Sequence, residues 1–92
     1  MKIIEINNQK YEIIENIDNC LNPEEIKEKL TEYFDNFDYI FGDYAYEKVR
    51  LKGFNNPTSK NVNKINNIEG LEEYKINYCS YGAKTFLLKK VK

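Results

Sequence analysis

Two short runs rich in β-branched residues open the chain. Residues 2–6 (Lys-Ile-Ile-Glu-Ile) and 9–17 (Gln-Lys-Tyr-Glu-Ile-Ile-Glu-Asn-Ile) read as strands. Asn7-Asn8 between them suits the positive-φ positions of a two-residue hairpin turn. Such a turn sets Ile4 opposite Tyr11, with Ile6 and Ile13 on the same side, and Glu5 opposite Lys10 on the other side beside Glu12. One face is then apolar and the other charged, which fixes the register.

The period changes at Asn22-Pro23-Glu24-Glu25, where Asn22 suits a helix N-cap, Pro23 the first helical position and Glu25 a capping box. Ile26, Leu30, Tyr33, Phe34 and Phe37 recur at spacings of three and four, predicting one helix whose apolar stripe packs on a sheet. Lys27, Glu28 and Glu32 fall on its solvated side.

Asp38 to Phe54 (Asp-Tyr-Ile-Phe-Gly-Asp-Tyr-Ala-Tyr-Glu-Lys-Val-Arg-Leu-Lys-Gly-Phe) joins two aromatic-rich extended segments. Gly42-Asp43 reads as the break between them, a turn or a bulge. From Tyr44 the pattern alternates. An unbroken strand over 44–52 puts Tyr44, Tyr46, Lys48, Arg50 and Lys52 on one face, neighbours ~6.6–6.8 Å apart, with Val49 and Leu51 on the other.

Turn residues follow from Gly53 to Ser59, and Lys60 to Asn67 reads as a polar loop, long enough to hide a short strand. A second helix is predicted from Ile68 to Cys79, with Asn66 and Glu69 at its start, Ile68, Leu71, Tyr74 and Tyr78 as its stripe, and Gly82 as its stop. Lys84 to Lys92 reads as a last strand. Phe86 and Leu88 on one side and Leu87 and Val91 on the other predict an interior position. The expected architecture is α+β in one domain over 1–92: an N-terminal β-hairpin, two helices packed on a small, mostly antiparallel sheet, and a C-terminal strand.

Charge is unevenly distributed. Residues 1–47 hold four lysines and twelve carboxylates, net −8, and residues 48–92 hold ten cations and three carboxylates, net +7, within a total of −1. Halves of opposite sign either attract each other within one fold or present an acidic and a basic face to a charged partner. Thirteen lysines stand against one arginine, Arg50, and isoleucine and asparagine are abundant. That bias is what an AT-rich genome produces, so the asparagines carry little functional weight. Arg50 carries more, because its planar fork makes bidentate contacts that lysine cannot.

The chain has no histidine, which removes the commonest general base, the Ser-His and Cys-His pairs and the commonest zinc ligand. Cys20 and Cys79 are far apart, form no C-x-x-C and read as buried free thiols. The four glycines form no phosphate-cradling loop. No apolar run is long enough to span a bilayer or act as a signal-peptide core, so a cytoplasmic location is expected. Neither an enzyme nor a cofactor is expected. Asp38, Asp43 and Glu47 read first as turn and surface residues, and a carboxylate-based enzyme is a third possibility that needs a pocket holding Asp43 or Glu47 with a raised pKa.

Tyr44, Tyr46, Lys48, Arg50 and Lys52 combine stacking platforms with cations on one strand face, as in sheet-based readers of single-stranded RNA. An ordinary exposed strand carries the same residue types, and the acidic first half weakens nonspecific attraction to phosphate. Two expectations stand. The first is a non-enzymatic module that docks a larger cytoplasmic assembly through protein contacts. The second is an RNA or ribonucleoprotein-binding domain using the same face. Neither involves a membrane or an evident small-molecule substrate.

The stretch from Asp38 to Phe54 also resembles the signature of the YutD-like proteins, small cytosolic proteins of Firmicutes and their relatives. Leu71-Glu-Glu-Tyr-Lys-Ile-Asn-Tyr-Cys-Ser-Tyr-Gly82, followed by Phe86-Leu-Leu-Lys89, is similar to that family's second block, and Lys10-Tyr-Glu-Ile-Ile-Glu15 fits its opening. Tyr44-Ala45 stands where the family usually has Trp-Gly, which favours a continuous strand there. The resemblance implies a compact α+β domain and a cytosolic location, and neither a substrate nor a cofactor.

Overall fold

The computed structural model describes residues 2–45, 48–79 and 83–91. Its centre is an antiparallel sheet of β1 (Ile3–Ile6), β2 (Gln9–Asn16), β3 (Tyr39–Ala45), β4 (Lys48–Phe54) and β5 (Thr85–Lys90), in the order β1-β2-β5-β3-β4. The opening hairpin forms in the expected register, with Ile4 opposite Tyr11 and Glu5 opposite Lys10. Asn7 and Asn8 take φ of 53° and 67°, the left-handed pair that a two-residue hairpin turn requires.

β5 is the interior strand that its two-sided apolar pattern predicts. Thr85, Phe86, Leu87 and Leu88 are all buried. Phe86 and Leu88 join Ile6, Tyr11, Ile40 and Val49 under the segment carrying Ile26, Leu30 and Phe34. Leu87 joins Phe41 and Phe54 beneath Leu71 and Tyr74 on the other face. The sheet therefore has a small core on each side, covered by one helical segment apiece.

The first of these segments departs from the expected single helix. α1 covers only Pro23–Ile26, capped by Asn22, whose side chain accepts from the Glu24 amide at 3.1 Å. The chain turns extended at Thr31 and resumes as a 3-10 turn over Glu32–Asn36. Asn7 makes the interruption tolerable: its side-chain amide donates to the carbonyls of Lys27 at 2.7 Å and Leu30 at 3.3 Å, groups that a longer helix would have satisfied itself. Ile26 is fully buried, Leu30, Phe34 and Phe37 are half-buried, and Tyr33 turns outward, so the stripe holds at four of its five positions.

α2 runs Leu71–Tyr78 after a 3-10 turn at Ile68–Gly70. Its lead-in is capped by Asn67, which accepts from Glu69, rather than by Asn66. Asn66 instead accepts from the Asn63 amide at 2.7 Å. The expected stop at Gly82 lies outside the described residues. The segment 60–67 holds no strand, only a single bridge between Asn55 and Asn67. Its asparagines do more than coding bias suggests. Asn55 is fully buried and Asn66 nearly so, and both side chains donate to the Asn61 carbonyl, which ties the loop to the end of β4.

Gly42-Asp43 is not a break. β3 runs through both residues, in register with β4 on one side and β5 on the other. The sheet's irregularity falls in β2, between Ile13 and Glu15. Gly42 is there because the Phe86 ring lies across it: a Cβ at this position would sit inside the ring, with its three nearest atoms all from Phe86. Gly42→Ala is expected to lower stability by about 1–3 kcal/mol, the cost of overpacking. Gly70→Ala, with nothing within 4 Å, should not be destabilising. Urea unfolding midpoints of the two variants check this.

Candidate functional site

β3 and β4 pair with Asp43 opposite Arg50, Tyr44 opposite Val49 and Ala45 opposite Lys48. The chain thus folds back after Ala45, and 44–52 is not one unbroken strand. Directly paired residues share a face. Lys48, Arg50 and Lys52 therefore lie on the face of Phe41 and Asp43, and Tyr44 lies on the opposite face with Val49. Of the five residues expected to form one stripe, three are brought together. Tyr44 is separated from them by the thickness of the sheet, and Tyr46 lies outside the described residues.

Tyr44 is held where it is by hydrogen bonding. Its hydroxyl donates to the Cys20 carbonyl at 2.8 Å and approaches a Glu25 carboxylate oxygen at 3.4 Å. Burial, reinforced by the Glu25 charge, pushes its pKa up to about 12 from 10.0.

Arg50 has a structural partner that the alternating pattern gave no reason to expect. Its Nε donates to Asp43 Oδ1 at 3.2 Å, one terminal nitrogen donates to Oδ2, and the same nitrogen reaches the Tyr78 carbonyl at 3.2 Å. The Asp43 side chain is 3% exposed and that of Arg50 51% exposed. The carboxylate is thus desolvated while the guanidinium keeps one side in water. The Cys79 thiol has its pKa raised by burial and then by Asp43. The ion pair stitches β3, β4 and the end of α2 into one unit.

Lys52 lies over two aromatic rings, its ammonium 5.1 Å from the Phe54 centroid and 5.6 Å from that of Tyr74. Burial lowers its pKa. Lys48 is exposed.

β4 ends the sheet, and a cleft of about 430 Å³ lies along its outer edge. Arg50, Lys52 and Tyr74 line it from one face of the sheet, and Tyr33, Phe37 and Leu51 from the other. Asn63, Ile65 and Asn66 of the loop form its far wall. Tyr33 and Ile65 are 68% and 76% exposed. Sequence reasoning missed this cleft. The outward turn of Tyr33 depends on the broken helix, and the position of Ile65 depends on the asparagine bonds that hold the loop.

Among the described residues no group of three His, Cys, Asp or Glu side chains could hold a metal ion, and no helix is long and apolar enough to cross a membrane.

The family described as "Putative antitoxin YutD-like" matches residues 5–89. The chain belongs to the YutD-like family. It is 32% identical over 90 residues to a Bacillus subtilis (strain 168) protein described as "Putative antitoxin YutD", covering 98% of this chain and 99% of that one. The solution NMR structure of the B. subtilis protein yutD superposes with a TM-score of 0.78 at 32% identity, covering all of this chain and 84% of that one. Likeness over nearly the full length carries the α+β fold with it. The YutD-like block from Asp38 to Phe54 is here a β-hairpin whose second strand is the sheet edge.

Two predictions follow from the ion pair and the phenol. Arg50→Ala leaves the buried Asp43 carboxylate without its fork. It should cost about 2–3 kcal/mol, below the ~3–5 kcal/mol of a fully buried pair because water can enter from the exposed side. Lys48→Ala should stay within about 0.5 kcal/mol of wild type; chemical denaturation of both variants measures the contrast. Tyr44 ionises near pH 10.0 in the unfolded chain and near 12 in the folded one, so the folded state holds the extra proton in between. Stability should fall as pH rises from about 10 to 12, and Tyr44→Phe should flatten that fall. Thermal unfolding across this alkaline range gives the comparison.

Proposed function

We propose that this protein is a non-enzymatic, antitoxin-type binding module that acts in the cytoplasm by docking a single protein partner. The family and its Bacillus subtilis relative carry the description "Putative antitoxin", which supports a role in binding another molecule. The observation that carries the reading is the outer edge of β4. It is a strand with no neighbour on one side among the described residues, cations along one face, and a cleft with exposed aromatic and aliphatic side chains beside it. Aromatic and arginine anchors beside an open groove are the usual material of a protein interface. The reading calls for no cofactor, small-molecule substrate or membrane.

The alternative is RNA or ribonucleoprotein binding through the same face, which draws on Lys48 and Arg50. Of its two expected stacking residues, Tyr44 is on the other face and Tyr46 lies outside the described residues. Its cations are also partly engaged, Arg50 by Asp43 and Lys52 by the rings of Phe54 and Tyr74. Protein docking uses more of what the surface offers.

The test is affinity capture of the tagged protein from its own cell lysate, with and without nuclease, followed by reconstitution with the purified captured protein. Lys48→Glu combined with Lys52→Gln serves as the surface variant, because changing Arg50 would also strip Asp43. A discrete protein that survives nuclease, reforms an equimolar complex and is lost with the surface variant is the expected result. Capture that depends on nucleic acid would replace the docking reading with the RNA one.

A further inference from the structure

We propose that the open part of the β4 edge takes an extended segment of a partner protein as a sixth strand, its residues alternating between acidic and apolar. The inference rests on the docking reading above and gives the partner's chemistry.

The backbone sets the length. β4 has β3 on its inner side and no strand on its outer side among the described residues. Just beyond Phe54 the loop closes that side: the Asn55 amide donates to the Asn66 carbonyl at 2.7 Å, the Ile68 amide donates to the Asn55 carbonyl at 2.9 Å, and Asn55 bridges Asn67. From Lys48 to Lys52 no such contact exists among the described residues, and the cleft separates the later part of this stretch from the loop. An edge of this kind offers a row of amides and carbonyls to an incoming strand, here over ~17 Å for five residues.

The side chains set the pattern. On one face Lys48, Arg50 and Lys52 recur every second residue, and an added strand opposes them with every second residue of its own. Asp43 is the only carboxylate among the cleft-lining residues, and Arg50 already neutralises it. This side is therefore net positive and selects carboxylates. On the other face the incoming strand meets half-buried Leu51 and the Phe37 ring, which covers Gly53, with Tyr33 beside them. That side selects apolar residues. A second copy pairing β4 to β4 would set Lys48, Arg50 and Lys52 against their own kind, which disfavours self-association through this edge.

The experiment titrates the isotope-labelled full chain with an end-blocked peptide alternating Glu and Val. The controls are a Lys-Val peptide, a Glu-Val peptide with a central proline, and a single-stranded RNA oligomer. Expected is a response of the backbone amides from Lys48 to Lys52 to the Glu-Val peptide, with slowed hydrogen exchange there. Affinity should drop about tenfold in Lys48→Glu with Lys52→Gln, and measurably in Lys48→Glu alone. Both variants must keep the wild-type amide spectrum away from β4, so that lost binding is not lost folding. Equal binding by the Lys-Val peptide, or a response confined to other elements, overturns the proposal. Equal binding by the proline peptide also does, since it would mean charge attraction without strand pairing. An RNA oligomer that displaces the Glu-Val peptide from these amides, or self-association through β4 measured by sedimentation, gives the edge to a different occupant. The docking reading is judged separately: a captured partner whose complex the Glu-Val peptide cannot displace leaves docking intact and removes the sixth strand. Peptide binding at β4 without any captured partner protein leaves the edge chemistry and removes the antitoxin-type reading.

Discussion

Phe86 lying across Gly42 is the contact on which the rest of the sheet depends. β5 must be buried on both faces to join the β1-β2 hairpin to the β3-β4 hairpin, and its largest side chain has room only because its neighbour in β3 has none. With the ring seated, Phe86 and Leu88 reach one core and Leu87 the other, so one strand feeds two cores that share no side chains. Each core is too small to stand alone, and the covering segments are short. The 3-10 turns and the four-residue α1 would not persist without the sheet beneath them.

The Asp43–Arg50 pair makes the edge an extension of the core rather than an appendage. Asp43 sits beside Thr85 in the β3–β5 register and is desolvated, while Arg50 reaches outward and also accepts the role of capping the end of α2 through the Tyr78 carbonyl. A second pair, Lys75 with Glu15 at 2.9 Å, ties the same helix to β2, with Thr85 donating to the same carboxylate. Both pairs join the acidic first half of the chain to the basic second half. Opposite charges from the two halves thus fasten the fold at these two points. The other exposed charges are mixed: Lys27 and Lys29 lie among Glu24, Glu28, Glu32 and Asp35 on one covering segment, and Glu69, Glu72 and Glu73 lie on the segment that covers the face carrying Lys48.

The strands were legible in the sequence because a two-residue period is a local signal. The first hairpin follows from Asn7-Asn8 and the alternation around it, and the interior position of β5 from its two-sided apolar pattern. Two features were hidden, and both are tertiary. Glycine at 42 looks the same whether it makes a turn or makes room, and only the partner strand distinguishes them. Strict alternation from Tyr44 to Lys52 continues in phase through a chain reversal, because a two-residue connection preserves parity while exchanging faces, so the pattern could not reveal that Tyr44 and Arg50 lie on opposite sides. The cation row survived this error because all three of its members follow the reversal. The asparagine-rich loop was misjudged for another reason: composition averages over residues, whereas Asn55 and Asn66 act through specific buried bonds.

The order of the strands in space has a consequence for how the chain is made. β5 follows in sequence both hairpins that it separates in the sheet. Each hairpin pairs locally in sequence but is marginal by itself in water, and neither meets its neighbour until synthesis has passed Lys90. Until then Ile40, Phe41 and Tyr11 lack their β5 partners, and the edges of β2 and β3 that β5 will pair stand open. The sheet is thus completed in one late step, with a central strand inserted between two waiting halves. A chain interrupted before that point loses both cores together, because each takes side chains from β5.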